Sequence, residues 1–165
     1  MTYRAELYQR LQEYCQAKKL VLGKQLGFGV HGIVFVAEKQ PRKRSAVKVH
    51  EREIDYRRER DIYLRLKERG IEKIRNCAVP GLIGYDDELL IIEMTIVTTP
   101  YVLDFAGAYL DWKPDFSEEV MADWQADKQE QFGKQWPEVL AILACLESFG
   151  IHMEDVSPSN ISLGP

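Results

Sequence analysis

The chain has 165 residues, of which 45% are hydrophobic, and this length and composition predict one domain with its own core. Residues 1–75 carry 19 Lys and Arg against 10 Asp and Glu, whereas residues 76–165 carry 3 against 16. We expect neither a membrane span, because no run of about 18 residues is apolar, nor nucleic-acid binding, because the aromatic residues are not interleaved with the basic ones.

The first residues, Met1 to Glu6, lack the features of a secretory signal peptide. The three cysteines, Cys15, Cys77 and Cys145, are far apart and have no metal-type spacing. We therefore expect a cytoplasmic protein with reduced cysteines. The uneven charge could steer a charged partner, but packing of the two halves on each other is the interpretation we favour.

The first half of the chain predicts a helix, three strands and a second helix. Residues 2–19 form the first helix, with Thr2 as its cap and an apolar face of Leu7, Tyr8, Leu11 and Tyr14. Strands are predicted at 21–27, 32–38 and 45–50. The charged stretch 51–69 predicts a helix that ends at Gly70 and buries Ile54, Ile62, Leu66 and Tyr63.

The second half predicts two more strands, at 79–85 and 89–94, which complete a five-stranded sheet with one helix. The pattern weakens over residues 98–135, where Ser117 marks a helix start. A strong helix is predicted over 138–149, opened by Pro137. The three tryptophans are expected to fill a small second core, namely Trp112, Trp124 and Trp136.

A glycine-rich turn, residues 27–32, joins the first two predicted strands. Gly27, Gly29 and Gly32 would let the backbone approach a polyphosphate, because no Cβ blocks it. The residues after Gly32 are rich in β-branched side chains, which favours a hairpin over a nucleotide rather than a turn from a strand into a helix. A hairpin that binds nothing is the alternative.

Lys48 lies in the third predicted strand, and a lysine inside an apolar strand is costly to bury unless it meets anions. The order Gly-x-Gly-x-x-Gly-x-Val followed by x-Ala-Val-Lys resembles the protein kinase family. That resemblance implies an α+β fold, a kinase-like N-lobe of a five-stranded antiparallel sheet with one packed helix, followed by a reduced, mostly helical C-terminal part. It would make residues 1–165 a single domain, with an N-terminal helix at 1–20, a nucleotide-binding lobe at 21–97 and the reduced lobe at 98–165.

The resemblance further implies that ATP is the cofactor and nucleotide partner. Val34 and Ala46 would then border the nucleotide, and Lys48 would hold its phosphates. Glu59 is the expected partner of this lysine, with Glu53 as the alternative. Ile92 would guard the back of the adenine pocket, and the backbone of Glu93 and Thr95 would form the hinge that bonds the base.

Residues 150–161 resemble the kinase catalytic loop, because an aspartate is followed by a proline three residues later and an asparagine two further on. Asp155 would orient the acceptor hydroxyl, and Asn160 would bind a metal ion. Met153 and Glu154 stand where kinases usually have His-Arg. A cap of the local turn is the alternative role for Asp155.

The Asp-Phe-Gly motif that follows the catalytic loop in kinases is not found after Asn160, and the given sequence ends at Pro165. Bound Mg²⁺ is therefore expected to be weakly held. The resemblance then predicts a nucleotide-binding, pseudokinase-like protein with weak or absent phosphotransferase activity, acting through binding to a protein partner. Two alternatives stay open: an active minimal Ser/Thr-type or small-molecule kinase with a replaced metal ligand, and a structural interaction module with a vestigial site.

Overall fold

The structure is a computed structural model that describes residues 2–29, 31–98 and 101–165. The first part comprises α1 (Tyr3–Lys18), β1 (Val21–Gly29), β2 (Gly32–Lys39), β3 (Lys43–His50), α2 (Glu53–Glu68), β4 (Lys73–Ile74), β5 (Cys77–Ala78), β6 (Leu82–Asp86) and β7 (Ile91–Met94). The second part comprises β8 (Tyr101–Leu103), β9 (Tyr109–Leu110), α3 (Glu118–Phe132), α4 (Trp136–Ser148), β10 (Ile151–His152) and β11 (Ile161–Leu163).

The predicted α+β class with a five-stranded antiparallel sheet is confirmed. The strand order is β1-β2-β3-β7-β6, and each neighbouring pair is antiparallel. Alternate residues of a strand face opposite sides, so the sheet has two apolar faces. One packs against α1, whose buried residues are Leu7, Leu11, Tyr14 and Cys15. The other packs against α2 and the C-terminal part in one larger core.

Helix α2 is placed by its buried stripe, since Glu59, Ile62, Tyr63 and Leu66 recur at helical spacing and are all buried. Gly70, just beyond the helix, has a φ of 66°, the left-handed conformation that glycine adopts without strain. In α3, the Ser117 hydroxyl accepts from the Val120 N–H at 3.3 Å, which confirms the predicted cap.

Two short sheets lie outside the main one and were not predicted. Strands β11, β8, β5 and β4 form the first, in that order, and β10 pairs with β9 in the second. Both β8 and β9 fall within residues 98–135, where the sequence pattern is weak. The C-terminal part is therefore less purely helical than expected, and its strands pair residues that are 41 to 62 positions apart in the chain.

Some side-chain predictions were wrong. Ile54 is 52% exposed. In the first turn of α2 the buried residues are the next two, Asp55 and Tyr56. Tyr8 is 42% exposed and contacts only the edge of Phe35. Trp112 is 55% exposed, and Trp124 and Trp136 belong to the larger core shared with the sheet and α2 rather than to a separate small core.

At the start of α1 the Thr2 carbonyl, rather than its hydroxyl, accepts the first helical bonds. Among the helices that the structure describes, none combines the length and the apolar character needed to cross a membrane.

Candidate functional site

Lys48 and Glu59 form a buried ion pair. The Lys48 ammonium, on β3, donates to both carboxylate oxygens of Glu59, on α2, at 2.9 and 2.8 Å. Only 6% and 2% of the two residues are exposed. The predicted pairing is therefore confirmed. Glu53, the alternative partner, instead accepts from Arg57 on the exposed side of the helix.

His50 is a third member of this cluster, which the sequence analysis missed. It lies two residues after Lys48 on β3, so both side chains leave the same face of the sheet. Its Nε2 is 2.7 Å from a Glu59 carboxylate oxygen, and the ring is fully buried. Glu59 is thus held from two directions. The sequence did carry a signal for His50, because Lys48 and His50 are two basic residues spaced two positions apart within an apolar strand.

The electrostatics of the pair follow from burial and charge together. Burial alone would raise the pKa of the Glu59 carboxyl, but the Lys48 charge and the His50 hydrogen bond reverse this and hold its pKa at about 2. Burial lowers the pKa of the Lys48 ammonium, yet the carboxylates of Glu59 and Asp104 raise it above its ordinary value. Both groups are therefore charged at neutral pH.

The sheet face around Lys48 carries several other predicted residues. Val34 and Ile92 lie directly opposite Lys48 on β2 and β7. Ala46, two residues before Lys48, shares this face. Ala46 and Ile92 are buried, and Val34 is half-buried. The register therefore brings the four side chains together beside the glycine-rich turn, where Gly27 pairs with Val34.

The two predicted hinge residues, Glu93 and Thr95, lie at the end of β7 and just after it. Glu93 is a strand residue with β3 on one side and β6 on the other, because β7 stays in the sheet through Met94. Its carboxylate faces α1, where it accepts from Tyr14 and Ser45 at 3.0 and 2.7 Å. The Thr95 N–H donates to the Gly81 carbonyl at 2.8 Å. The Thr95 N–H is therefore already bonded to a protein carbonyl, and the hinge role of Glu93 and Thr95 stays a prediction.

The three glycines of the turn have different structural roles. Gly32 has a φ of 143°, and a Cβ there would lie 2.1 Å from the Val49 carbonyl oxygen. The fold itself therefore requires glycine at this position. Gly27 and Gly29 lack a positive φ, and a Cβ on either would meet open space within the described part of the chain. Folding does not explain these two glycines.

Asp155 and Asn160 are in direct contact after α4 and β10. The Asn160 side-chain amide donates to the Asp155 carboxylate at 2.8 Å and to the Asp155 backbone carbonyl at 2.9 Å. These bonds fix the amide with its nitrogen toward Asp155, which leaves the Asn160 Oδ1 as an oxygen for another partner. Asp155 is exposed, so its carboxylate is accessible to a substrate.

Asp104 is a candidate that the sequence analysis missed. It follows β8, whose register with β11 pairs Leu103 with Ile161, so the next opposed pair is Asp104 and Asn160. The Asp104 N–H donates to the Asn160 carbonyl at 2.9 Å, one position beyond the paired residues of the two strands. Directly opposed side chains leave the same face, with Cβ atoms about 5 Å apart. The carboxylate of Asp104 and the amide of Asn160 therefore share one side.

Phe105 anchors the turn that carries Asp104. It is fully buried, and its ring meets Tyr63 of α2 edge-on, with 5.8 Å between ring centroids. The Asp104 carboxylate accepts from the Ala106 N–H at 2.9 Å, and Gly107 has a φ of 77°. The turn is therefore packed against the helix that carries Glu59. Its sequence signal was Asp-Phe-Ala-Gly after an apolar strand, located before the catalytic-loop-like segment instead of after it.

These side chains offer oxygen ligands of the kind that Mg²⁺ prefers. In the part of the chain that the structure describes, no group of three or more His, Cys, Asp or Glu could hold a metal ion alone. Mg²⁺, however, is commonly bound by one or two carboxylates together with substrate phosphates and water. Asp104 and Asn160 fit that donor set. They would form an incomplete site that a phosphate ligand completes.

Comparison with known proteins yields limited similarity. No protein-family model matches the chain, and no curated protein matches it either. Among solved structures, the chain is similar to the Rio2 kinase of Chaetomium thermophilum, crystallised as an ADP/Mg²⁺-phosphoaspartate complex. The TM-score is 0.43 at 18% sequence identity, and the overlap covers 77% of this chain and 40% of that kinase. The likeness concerns the fold, and no inference about activity follows from it.

Proposed function

We propose that this chain binds ATP and Mg²⁺ beside the glycine-rich turn and transfers the γ-phosphoryl group to an acceptor hydroxyl. This is the alternative of an active minimal kinase with a replaced metal ligand, and Asp104 is that ligand. The observation that supports the proposal is the hydrogen bond from the Asp104 N–H to the Asn160 carbonyl, one position beyond the paired residues of β8 and β11. The Asp104 charge also contributes to the raised pKa of Lys48. The expected reason for weak activity, the missing metal-binding aspartate of an Asp-Phe-Gly motif after Asn160, would then no longer apply.

The glycines support a nucleotide beside the turn. Gly27 and Gly29 are not explained by backbone conformation or by space within the described residues. A polyphosphate that approaches the backbone closely would explain them, because a Cβ would then meet the ligand. The sheet face of Val34, Ala46 and Ile92 gives the adjoining apolar surface for the base.

The Lys48 cluster supports phosphate binding. A lysine ammonium has three N–H donors, and two of them reach Glu59. The remaining donor can meet a phosphate oxygen, while Glu59 and His50 hold the ammonium in place. A strand lysine paired with a helix glutamate is the arrangement by which kinases hold nucleotide phosphates.

The two oxygen donors opposite each other, Asp104 and Asn160, would hold Mg²⁺ with the nucleotide phosphates. When bound, the ion neutralises the charge that develops on the transferred group. Asp155 has a separate role in this proposal: its exposed carboxylate accepts the proton of the acceptor hydroxyl. The hydrogen bonds from Asn160 hold that carboxylate next to the metal-binding edge.

Nucleotide titration tests the proposal. We expect ATP and ADP to raise the melting temperature of the purified protein, by a stabilisation of about 2.7 kcal/mol at a hundredfold excess over Kd. Mg²⁺ should strengthen the effect. Product analysis with a panel of hydroxyl acceptors should then detect a phosphorylated product. Binding without any product would favour the pseudokinase-like alternative, and no shift at millimolar nucleotide would contradict the nucleotide site itself.

A further inference from the structure

A cavity of about 490 Å³ borders the catalytic-loop-like segment. Its floor comes from α3 and α4, and its wall from residues 113–116 and 152–154. Apolar side chains dominate the lining, including Phe116, Val120, Trp124, Leu143 and Met153. Pockets of about 300–1,000 Å³ with mostly apolar walls and a few polar groups are typical of small-molecule sites.

The mouth of this cavity carries charge next to the proposed base. Glu154 lines it and directly precedes Asp155. Glu154 is exposed, and among the described residues it makes no ion pair within 4 Å. Glu147 also lines the mouth, where its carboxylate lies 3.0 Å from the Lys113 ammonium and 3.9 Å from His152 Nδ1.

The surroundings reinforce a negative potential. Residues 76–165 carry 16 acidic against 3 basic side chains. Of the cavity's own charged groups, Lys113 is neutralised by Glu147, which leaves the Glu154 carboxylate in excess. A cationic group at the mouth would compensate this charge. An apolar portion could bury itself below, against the aromatic and aliphatic walls.

We infer that this cavity binds the phosphoryl acceptor, and that the acceptor is a small molecule with an apolar body, a protonated amine and a hydroxyl. The inference rests on the proposed function. The amine would lie at Glu154, which brings the hydroxyl to Asp155 on the adjoining residue. In the transfer, the hydroxyl oxygen bonds to the γ-phosphorus while the bond from that phosphorus to the β–γ bridging oxygen breaks. Its electron pair leaves with ADP, and the hydroxyl proton passes to Asp155.

Binding of phenylalaninol, compared with its amine-free analogue 3-phenylpropan-1-ol, tests this inference by calorimetry on the full chain with ADP and Mg²⁺ present. We expect the amine to bind at least tenfold more tightly than the alcohol. Glu154→Gln should remove that preference, whereas Glu130→Gln, an exposed residue of α3 outside the cavity, should retain it. Equal binding of the two compounds would overturn the cationic assignment.

Filling the cavity with a larger side chain gives a second test of the proposed binding site. Ala144 is an exposed lining residue, so Ala144→Trp should block the cavity and abolish phenylalaninol binding without disturbing the core. Ala126→Trp, on an exposed position of α3 outside the lining, is the matched control and should bind normally. Unchanged phenylalaninol binding in Ala144→Trp would overturn the site. Both variants should keep the rise in melting temperature that ADP causes. If ADP caused no such rise in the wild-type protein, the proposed function itself would be refuted.

Discussion

Asp104 and Asn160 meet one position beyond the ladder of β8 and β11, where the Asp104 N–H donates to the Asn160 carbonyl at 2.9 Å. The two residues are 56 positions apart in the chain, yet the register sets their side chains on one face. Any cation that bridges nucleotide phosphates at this edge would meet both. This relationship leads directly to the first prediction.

Asp104→Asn should weaken nucleotide binding chiefly in the presence of Mg²⁺. A neutral amide keeps the shape of the side chain but lowers its attraction for a divalent cation. We expect the affinity for ADP with Mg²⁺ to fall about tenfold or more, which corresponds to about 1.4 kcal/mol. Calorimetric titration with and without Mg²⁺ measures this.

Asp127→Asn is the matched control, because Asp127 is exposed on α3 and its contacts there are local, with Lys128 and Gln131. It should leave both affinities unchanged. If the Mg²⁺ enhancement were the same in Asp104→Asn as in the wild-type protein, Asp104 would not be a metal ligand.

Asp155→Asn should lower turnover and spare nucleotide affinity. A general base acts in the transition state, and its removal typically costs about 10²- to 10⁴-fold in rate. The variant keeps an oxygen that can still accept from the Asn160 amide, so the local structure should persist. Steady-state kinetics and ADP titration on the same preparation separate the two effects. Unimpaired turnover would assign Asp155 to the role of a turn cap.

The predictable part of this site consists of residues whose neighbours in the chain reveal their role. Lys48 stands out as a buried cation in an apolar strand, and Glu59 lies on the buried stripe of the next helix. Asp155 and Asn160 are five residues apart and meet within one turn. In each case the local pattern, together with the family resemblance, was enough to single out the residue.

The unpredicted part depends on long-range pairing. Asp104 reaches the site only because β8 pairs with β11, and three-residue strands leave too short an alternation to recognise. The family resemblance also directed attention to the sequence after Asn160, whereas the relevant Asp-Phe-Ala-Gly stretch comes before α3. The strand pairing of Glu93 on both sides likewise depends on residues far away in the chain.

The glycines of the turn should respond differently to substitution by alanine. Gly32→Ala should destabilise the fold by about 3 kcal/mol or more, because its φ of 143° is strained for alanine and its Cβ would clash with the Val49 carbonyl. Gly29→Ala should change the free energy of unfolding by less than about 1 kcal/mol but weaken ATP binding. Urea denaturation and nucleotide titration measure the two quantities. Normal ATP affinity in Gly29→Ala would remove the glycine argument for a polyphosphate beside the turn.

Acid should selectively remove the stabilisation that Glu59 contributes. The Glu59 pKa is about 2 in the folded chain, against an ordinary value of 4.5. A lowered carboxyl pKa means that the stabilisation is complete above pH 4.5 and is lost as the pH falls toward 2. As the pH falls between those limits, the difference in free energy of unfolding between the wild-type protein and Glu59→Gln should shrink. It should shrink by about 1.4 kcal/mol for each pH unit. Urea denaturation of both proteins at several pH values between 5 and 3 measures the gap.

Glu138→Gln serves as the control for that experiment. Glu138 also has a lowered pKa, caused chiefly by its hydrogen bond with Arg75, but both partners of that ion pair are substantially exposed. Solvent weakens such surface pairs, so the gap between the wild-type protein and Glu138→Gln should change little across the pH range. A wild-type to Glu59→Gln gap that did not change with pH would mean that Glu59 titrates normally. Lys48 would then lack the buried, ionised partner on which phosphate binding depends in this proposal.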